Sequence, residues 1–321
     1  MYAIIKALIP SYFGWISAQL VALGLTLHLL LPISTEMGIV IGALLVMSYT
    51  LMGGMWSISI TDFLHNIILI VGLLILAYLL LDKIPDLGVF IDQQPKGFFR
   101  FTPLKNTWID WLQYIGAWMV IGLGSIPQQD IFQRVMSAKS SPIAAKASIA
   151  AGTMYLTIAM LPLLIGLIGV RLYPSLLADD ALLIPHLVMR FMPYGIQILF
   201  LGALLSALLS TTSGAILAPA SVLGENLWKP LLKHPSDKKV LGIIRLSVVF
   251  VTMACIWMAV SRQNIFELVG EASAFSLVFN AFQYFLGLGL PVSISITSII
   301  EINHFSCSES QTVLTFLSSN N

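Results

Sequence analysis

QILFLGALLSALLSTTSGAILAPASVLGEN, residues 197–226, decides how the chain is read. The stretch is apolar enough to lie in lipid, yet it carries a run of hydroxyls among small side chains. Ala207, Ser210 and Thr211 stand at i, i+3 and i+4 and so share one helical face. Ala203, Ala207, Gly214 and Ala218 let another backbone come close, which is how helices associate once lipid has removed the hydrophobic driving force. Hydroxyl oxygens on such a face suit a small hard cation. The competing reading is that each Ser and Thr bonds back to the carbonyl four residues earlier and the small residues serve packing alone. The residues themselves leave both readings open.

The rest of the chain has the same character. Of its 321 residues, 58% are hydrophobic and 10% are charged, and the mean hydropathy is +0.92, far beyond what a water-soluble domain exposes. Apolar runs of about 20 residues recur without charges in their middles, which predicts an all-α polytopic membrane protein and no barrel of alternating strands. The net charge of +1 gives no footing for nucleic acid. Cys255 and Cys307 match no metal-ligand spacing, and Cys255 lies in an apolar run, so no disulfide framework is expected. Met1 leads almost directly into an apolar run with Lys6 near its start and no small-residue cleavage site. The first run is therefore expected to be a retained span and not a signal peptide.

About eight spans are expected: residues 4–31, 38–52, 61–81, 107–126, 142–172, 193–226, 240–260, and a last one that starts near 266 and fades after 290. Pro32 ends the first, Gly53 and Gly54 close the second, and Pro162 lies inside the fifth. The sixth exceeds one bilayer crossing, so it either tilts or bends at Pro219. Residues 82–106, with Pro85, Pro95 and Pro103, read as an external loop with room for an interfacial turn, and residues 172–192, with Asp179 and Asp180, read as a second loop. Arg134, Lys139, Lys146, Lys229, Lys233, Lys238, Lys239 and Arg245 put segments 130–146 and 225–245 in the cytoplasm. Alternation then puts 82–106 outside, against the bias of Lys83, Lys96, Arg100 and Lys105. Residues 1–290 are thus read as the transmembrane domain, and residues 291–321 as an atypical Ser-rich tail or an ordinary flexible terminus.

Two further constellations carry polar chemistry into the apolar spans. In GGMWSISITDF, Asp62 opens an apolar run; at the bilayer centre an acid costs about 2.5–3.5 kcal/mol, so it should face protein, water or an ion. Alternatively, Thr61 and Asp62 cap the helix start and meet its positive end. In GSIPQQDIFQR, residues 124–134, Pro127 removes a backbone donor and predicts an unwound helix, tolerated at membrane depth only beside protein or a water-filled cavity. Gln128, Gln129 and Gln133 would there meet a polar substrate; alternatively the segment is a plain cytoplasmic exit with Asp130 and Arg134 paired. His28, His65, His186, His234 and His304 are scattered, and no Ser-His-Asp, Cys-His or zinc-like spacing is present, so no enzyme is expected.

GGMWSISITDF, then GSIPQQDIFQRVMSAKS, then LFLGALLSALLSTTSGAILAPASVLGEN, in that order, resemble the sodium:solute symporter family, which includes proline, sugar and choline transporters. The likeness covers roughly residues 3–278. It implies a fold of five plus five helices in inverted repeat, here partial, with the chain beginning at the third core helix and stopping before the last is finished. It further implies that the carbonyl of Ala207 and the hydroxyls of Ser210 and Thr211 bind sodium, that Asp62 lies on the cation's inner exit path, and that Gln128, Gln129 and Asp130 stand at substrate and gate positions. One departure is that His65 stands where the family usually has a glutamine, three residues after the aspartate.

The resemblance implies sodium-coupled symport of a small polar solute by alternating access, in the cell (inner) membrane, with sodium as coupling ion and no other cofactor. The partners are then the solute, sodium and the lipid bilayer. A chain lacking the first core helices is expected to be incompetent alone, and a companion fragment carrying them could in principle complete it. The alternatives are a non-transporting scaffold or subunit, or an inactive remnant of an interrupted gene whose tail is read in a shifted frame. Proline, a sugar, an organic acid and a choline-like cation stay open as solutes. The IP-x-Q and FQRV pattern is similar to the choline branch, and Trp111, Tyr114 and Trp118 offer either aromatic surface for a quaternary ammonium or interfacial anchors.

Overall fold

In the computed structural model the described residues are 2–287 except 53–54, 85–86, 93–99, 101, 104–106, 125–134, 136–137, 176–180 and 233–235. The expected tail, residues 291–321, lies outside them. The described elements are helical: α1 (Tyr2–Leu30), α2 (Thr35–Met52), α3 (Met55–Leu81), α4 (Leu87–Asp92), α5 (Trp108–Gly124), α6 (Ser141–Thr157), α7 (Met160–Leu172), α8 (Leu183–Phe191), α9 (Tyr194–Val222), α10 (Asp237–Ser261) and α11 (Ile265–Gly287). Five stretches among them are long and apolar enough to cross a membrane: Tyr12–Leu30, Asp62–Leu81, Ser141–Leu172, Tyr194–Glu225 and Lys238–Ser261. Thr35–Leu51 is a shorter apolar helix. The chain is a multi-pass membrane protein.

It divides into two compact units. One comprises residues 22–96 and 133–213, and its core joins Leu76, Leu80, Ile165, Ile168, Leu187 and Phe200. Small residues set its closest approaches, as packing between membrane helices requires. A Cβ on Gly38 of α2 would lie 2.5 Å from the Gly24 carbonyl oxygen of α1, and one on Gly72 of α3 would lie 2.3 Å from the Phe200 ring of α9. Phe63, Leu64, Ile67, Val71, Leu74 and Tyr78 leave the other side of α3 exposed, an apolar stripe fit for lipid.

The other unit comprises residues 1–21, 97–132 and 214–321. Here α5 packs on α11, and Gly14 of α1 lies against α11, where a Cβ would come 2.8 Å from the Leu268 carbonyl oxygen. The Ser17 hydroxyl donates to the Cys255 carbonyl of α10 at 3.1 Å. Arg262 grips both oxygens of Glu271 at 2.9 and 2.8 Å, clipping the α10–α11 turn.

Several boundaries differ from those expected. The third span, Asp62–Leu81, is as expected, but its helix already starts at Met55, which carries Asp62 two turns inside the helix and removes its reading as a cap. The fifth span is two helices. Pro162 has no N–H for the Ile158 carbonyl, and Leu161 donates to that carbonyl at 3.0 Å instead, so α6 ends and α7 begins there. The expected loop 172–192 holds the helix α8, which buries Leu183, Pro185, Leu187 and Val188. The side-chain amide of Gln197 ends α8 by donating to the carbonyls of Met189 and Met192 at 2.8 and 2.7 Å. The segment expected as an external loop contains the single-turn-and-a-half helix α4. Pro219 lies within α9, and the chain continues past it as a π-helical turn, Leu223–Trp228. That turn packs on α10, where a Cβ on Gly224 would meet Ile244 at 2.4 Å.

Candidate functional site

The hydroxyl run lies on α9, which at 29 residues is about 43 Å long and so outspans a hydrocarbon core of about 30 Å. Its middle is therefore at membrane depth, where a hydroxyl has no water to turn to. Several hydroxyls on the described helices meet that constraint by donating to the carbonyl one turn back. Thr26 donates to Ala22, Ser48 to Leu44, Ser148 to Ala144, Thr153 to Ile149, Thr252 to Val248 and Ser261 to Trp257, all between 2.7 and 3.0 Å. On α9 itself, Thr212 donates to Leu208 at 2.6 Å.

Ser210 departs from that pattern. It is 2% exposed, and its Oγ has no hydrogen-bond partner among the described residues. Leaving a buried hydroxyl unpaired costs about 1–3 kcal/mol, so the general explanation of back-bonding fails at the residue where a ligand oxygen is expected. Ala207 and Thr211 are half-buried on the same face. The Ala207 carbonyl has two lone pairs, so it can accept the helical N–H and still face a cation. Ser213, one turn beyond Ser210, is 1% exposed, and its Oγ lies 2.9 Å from Thr50 Oγ1 on α2. The sequence reading missed both Ser213 and Thr50. Ser213 was accessible to it as i+3 from Ser210, whereas Thr50 is 163 residues away in the chain.

Asp62 is half-buried inside α3 and is engaged by a neighbour. His65 shares its face at i+3, and the His65 Nδ1 is buried with no partner among the described residues. Gln128, Gln129 and Asp130 lie outside the described residues, as does the expected unwinding at Pro127. On α5, Trp111, Tyr114 and Trp118 form a line of edge contacts, with ring centroids 6.2 and 6.3 Å apart. Trp118 is exposed, so these three rings run along one helix and do not close around a centre. Among the described residues no three His, Cys, Asp or Glu side chains come together as a metal site.

A hard-oxygen face on a small-residue helix, in a multi-pass chain, is the architecture in which transporters hold a coupling ion. Comparison with known proteins points the same way. The family model for the sodium:solute symporter family matches residues 2–290. The high-affinity choline transporter 1 of Caenorhabditis elegans is 29% identical over 287 residues, covering 81% of this chain and 48% of that protein. The sodium/proline symporter 2 of Staphylococcus saprophyticus is 29% identical over 250 residues, covering 74% and 47%. The solved substrate-bound, outward-open structure of a Na+-coupled sialic acid symporter has the same fold, with a TM-score of 0.67 at 19% identity over 87% of this chain and 62% of that one. The chain spans about half the length of the curated relatives it matches. The chain belongs to the sodium:solute symporter family.

Proposed function

We propose that the chain takes part in sodium-coupled symport of a small polar solute by alternating access in the cell (inner) membrane. Sodium is the coupling ion, held on α9 by the Ala207 carbonyl and the hydroxyls of Ser210 and Thr211. Asp62 lies on the cation's inner exit path, and Gln128, Gln129 and Asp130 serve substrate and gate. The observation that carries this reading is the Ser210 Oγ, buried and unpartnered on a helix on which the Thr212 and Ser213 hydroxyls are bonded. A bound cation supplies the missing partner. Family membership and the fold shared with a Na+-coupled symporter support the same coupling ion.

A companion segment completing the transport path is part of this reading, while the three sodium ligands named above all lie on this chain. It is supported by α6, in which no residue is buried although Ala144, Ala147, Ser148 and Ala151 give it a face on which another helix packs closely. The solute is sought first among choline and proline, which the relatives' names carry. The test is uptake of each labelled solute by cells expressing the gene, with external sodium replaced by potassium. Uptake that requires sodium and is lost in Ser210→Ala supports the reading; equal uptake in the two salts overturns it.

A further inference from the structure

We propose that Thr50 on α2 is a positioning residue for the cation-binding face of α9, fixing the Ser213 hydroxyl so that its oxygen faces the site as an acceptor. The inference rests on the sodium-binding reading of Ser210 and adds a second helix to that site. Thr50 is 9% exposed, and its Oγ1 lies 2.7 Å from the Val46 carbonyl and 2.9 Å from Ser213 Oγ. A hydroxyl has one proton, and a carbonyl only accepts. The Thr50 proton therefore goes to Val46, and the bond between the hydroxyls is donated by Ser213.

The consequence is directional. With its proton turned toward Thr50, Ser213 keeps an unshared lone pair, and it stands one turn from the unpartnered oxygen of Ser210 on the same helical face. Were the Ser213 proton free to rotate, the cation would have to orient it on binding, at a cost in rotational freedom. The alternative donation, back to its own helix, would place Ser213 among the hydroxyls that serve α9 alone, as Thr212 does. Thr50 thus links α2 to α9 through an oxygen chain, Val46 carbonyl to Thr50 to Ser213, whose polarity is set from the α2 end. Such a chain preorganises the face before the ion arrives, which is how a positioning group raises affinity without touching the ligand.

The experiment is a sodium titration of the full chain in lipid nanodiscs, with potassium holding ionic strength constant and hydrogen exchange of the α9 amides as readout. Thr50→Val removes the hydroxyl at nearly constant shape and is expected to raise the half-protecting sodium concentration about fivefold, the factor carried by one typical hydrogen bond. Thr50→Ser keeps the hydroxyl and is expected to keep the midpoint within about twofold of the wild type. In a Ser213→Ala background, Thr50→Val is expected to shift the midpoint no further. A wild-type midpoint in Thr50→Val, or equal shifts in Thr50→Val and Thr50→Ser, overturns the inference and leaves the sodium site standing. Absence of sodium-specific protection in the wild type overturns the sodium site, and the role of Thr50 with it.

Discussion

Replacing Ser210 with alanine should stabilise the sodium-free protein while removing its response to sodium. The substitution deletes one oxygen that is buried and has no hydrogen-bond partner among the described residues. An unmade buried hydrogen bond costs about 1–3 kcal/mol, and the cavity left by a single atom offsets only part of that, so a gain of about 1 kcal/mol is expected without sodium. With sodium at about 100 times its dissociation constant, the wild type gains about 2.7 kcal/mol by mass action. The variant, with a ligand gone, gains much less, and the order of stability reverses between the two salts. The assay is denaturant unfolding in mild detergent, followed by tryptophan fluorescence in matched sodium and potassium chloride. If Ser210→Ala is the less stable protein in both salts, the Ser210 hydroxyl is an ordinary bonded core group and the reasoning from its isolation fails.

The closest helix contacts make sharper structural predictions. Gly38→Ala puts a Cβ 2.5 Å from a backbone oxygen that has no rotamer to yield, so a loss of about 1–3 kcal/mol is expected in the same unfolding assay. Gly116→Ala on α5, where nothing lies within 4 Å of the added carbon, is expected to be neutral or to gain up to about 1 kcal/mol from helix propensity. Gln197→Ala strips two carbonyls of their donor at the end of α8, and hydrogen exchange should rise over residues 183–192 while α10 is unaffected. Unchanged exchange there would show that apolar packing alone holds α8.

Much of the fold is legible because lipid imposes long apolar runs, and α9 and α10 follow from that rule. The misreadings have physical causes. Thr61 and Asp62 resemble an N-cap so closely that the sequence puts Met55 to Ile60 in the connection, although the helix already begins at Met55. The helix α8 was hidden by Asp179 and Asp180 before it and Pro185 within its first turn, and it is held by burial on one side together with a cap from Gln197, which lies beyond it in sequence. Pro162 announced a defect but not its form, since the neighbouring Leu161 amide takes over the freed carbonyl. On α9, the shared face of Ser210 and Thr211 is visible by spacing, whereas the Thr50–Ser213 contact joins helices distant in sequence, which no local pattern reveals.

Equilibrium binding of radioactive sodium to the purified full chain in lipid tests the central claim most directly. Saturable binding that potassium does not displace, lost in Ser210→Ala and retained in Gly116→Ala, is the expected result. Binding that is absent, or that Ser210→Ala leaves intact, would contradict a sodium site on α9.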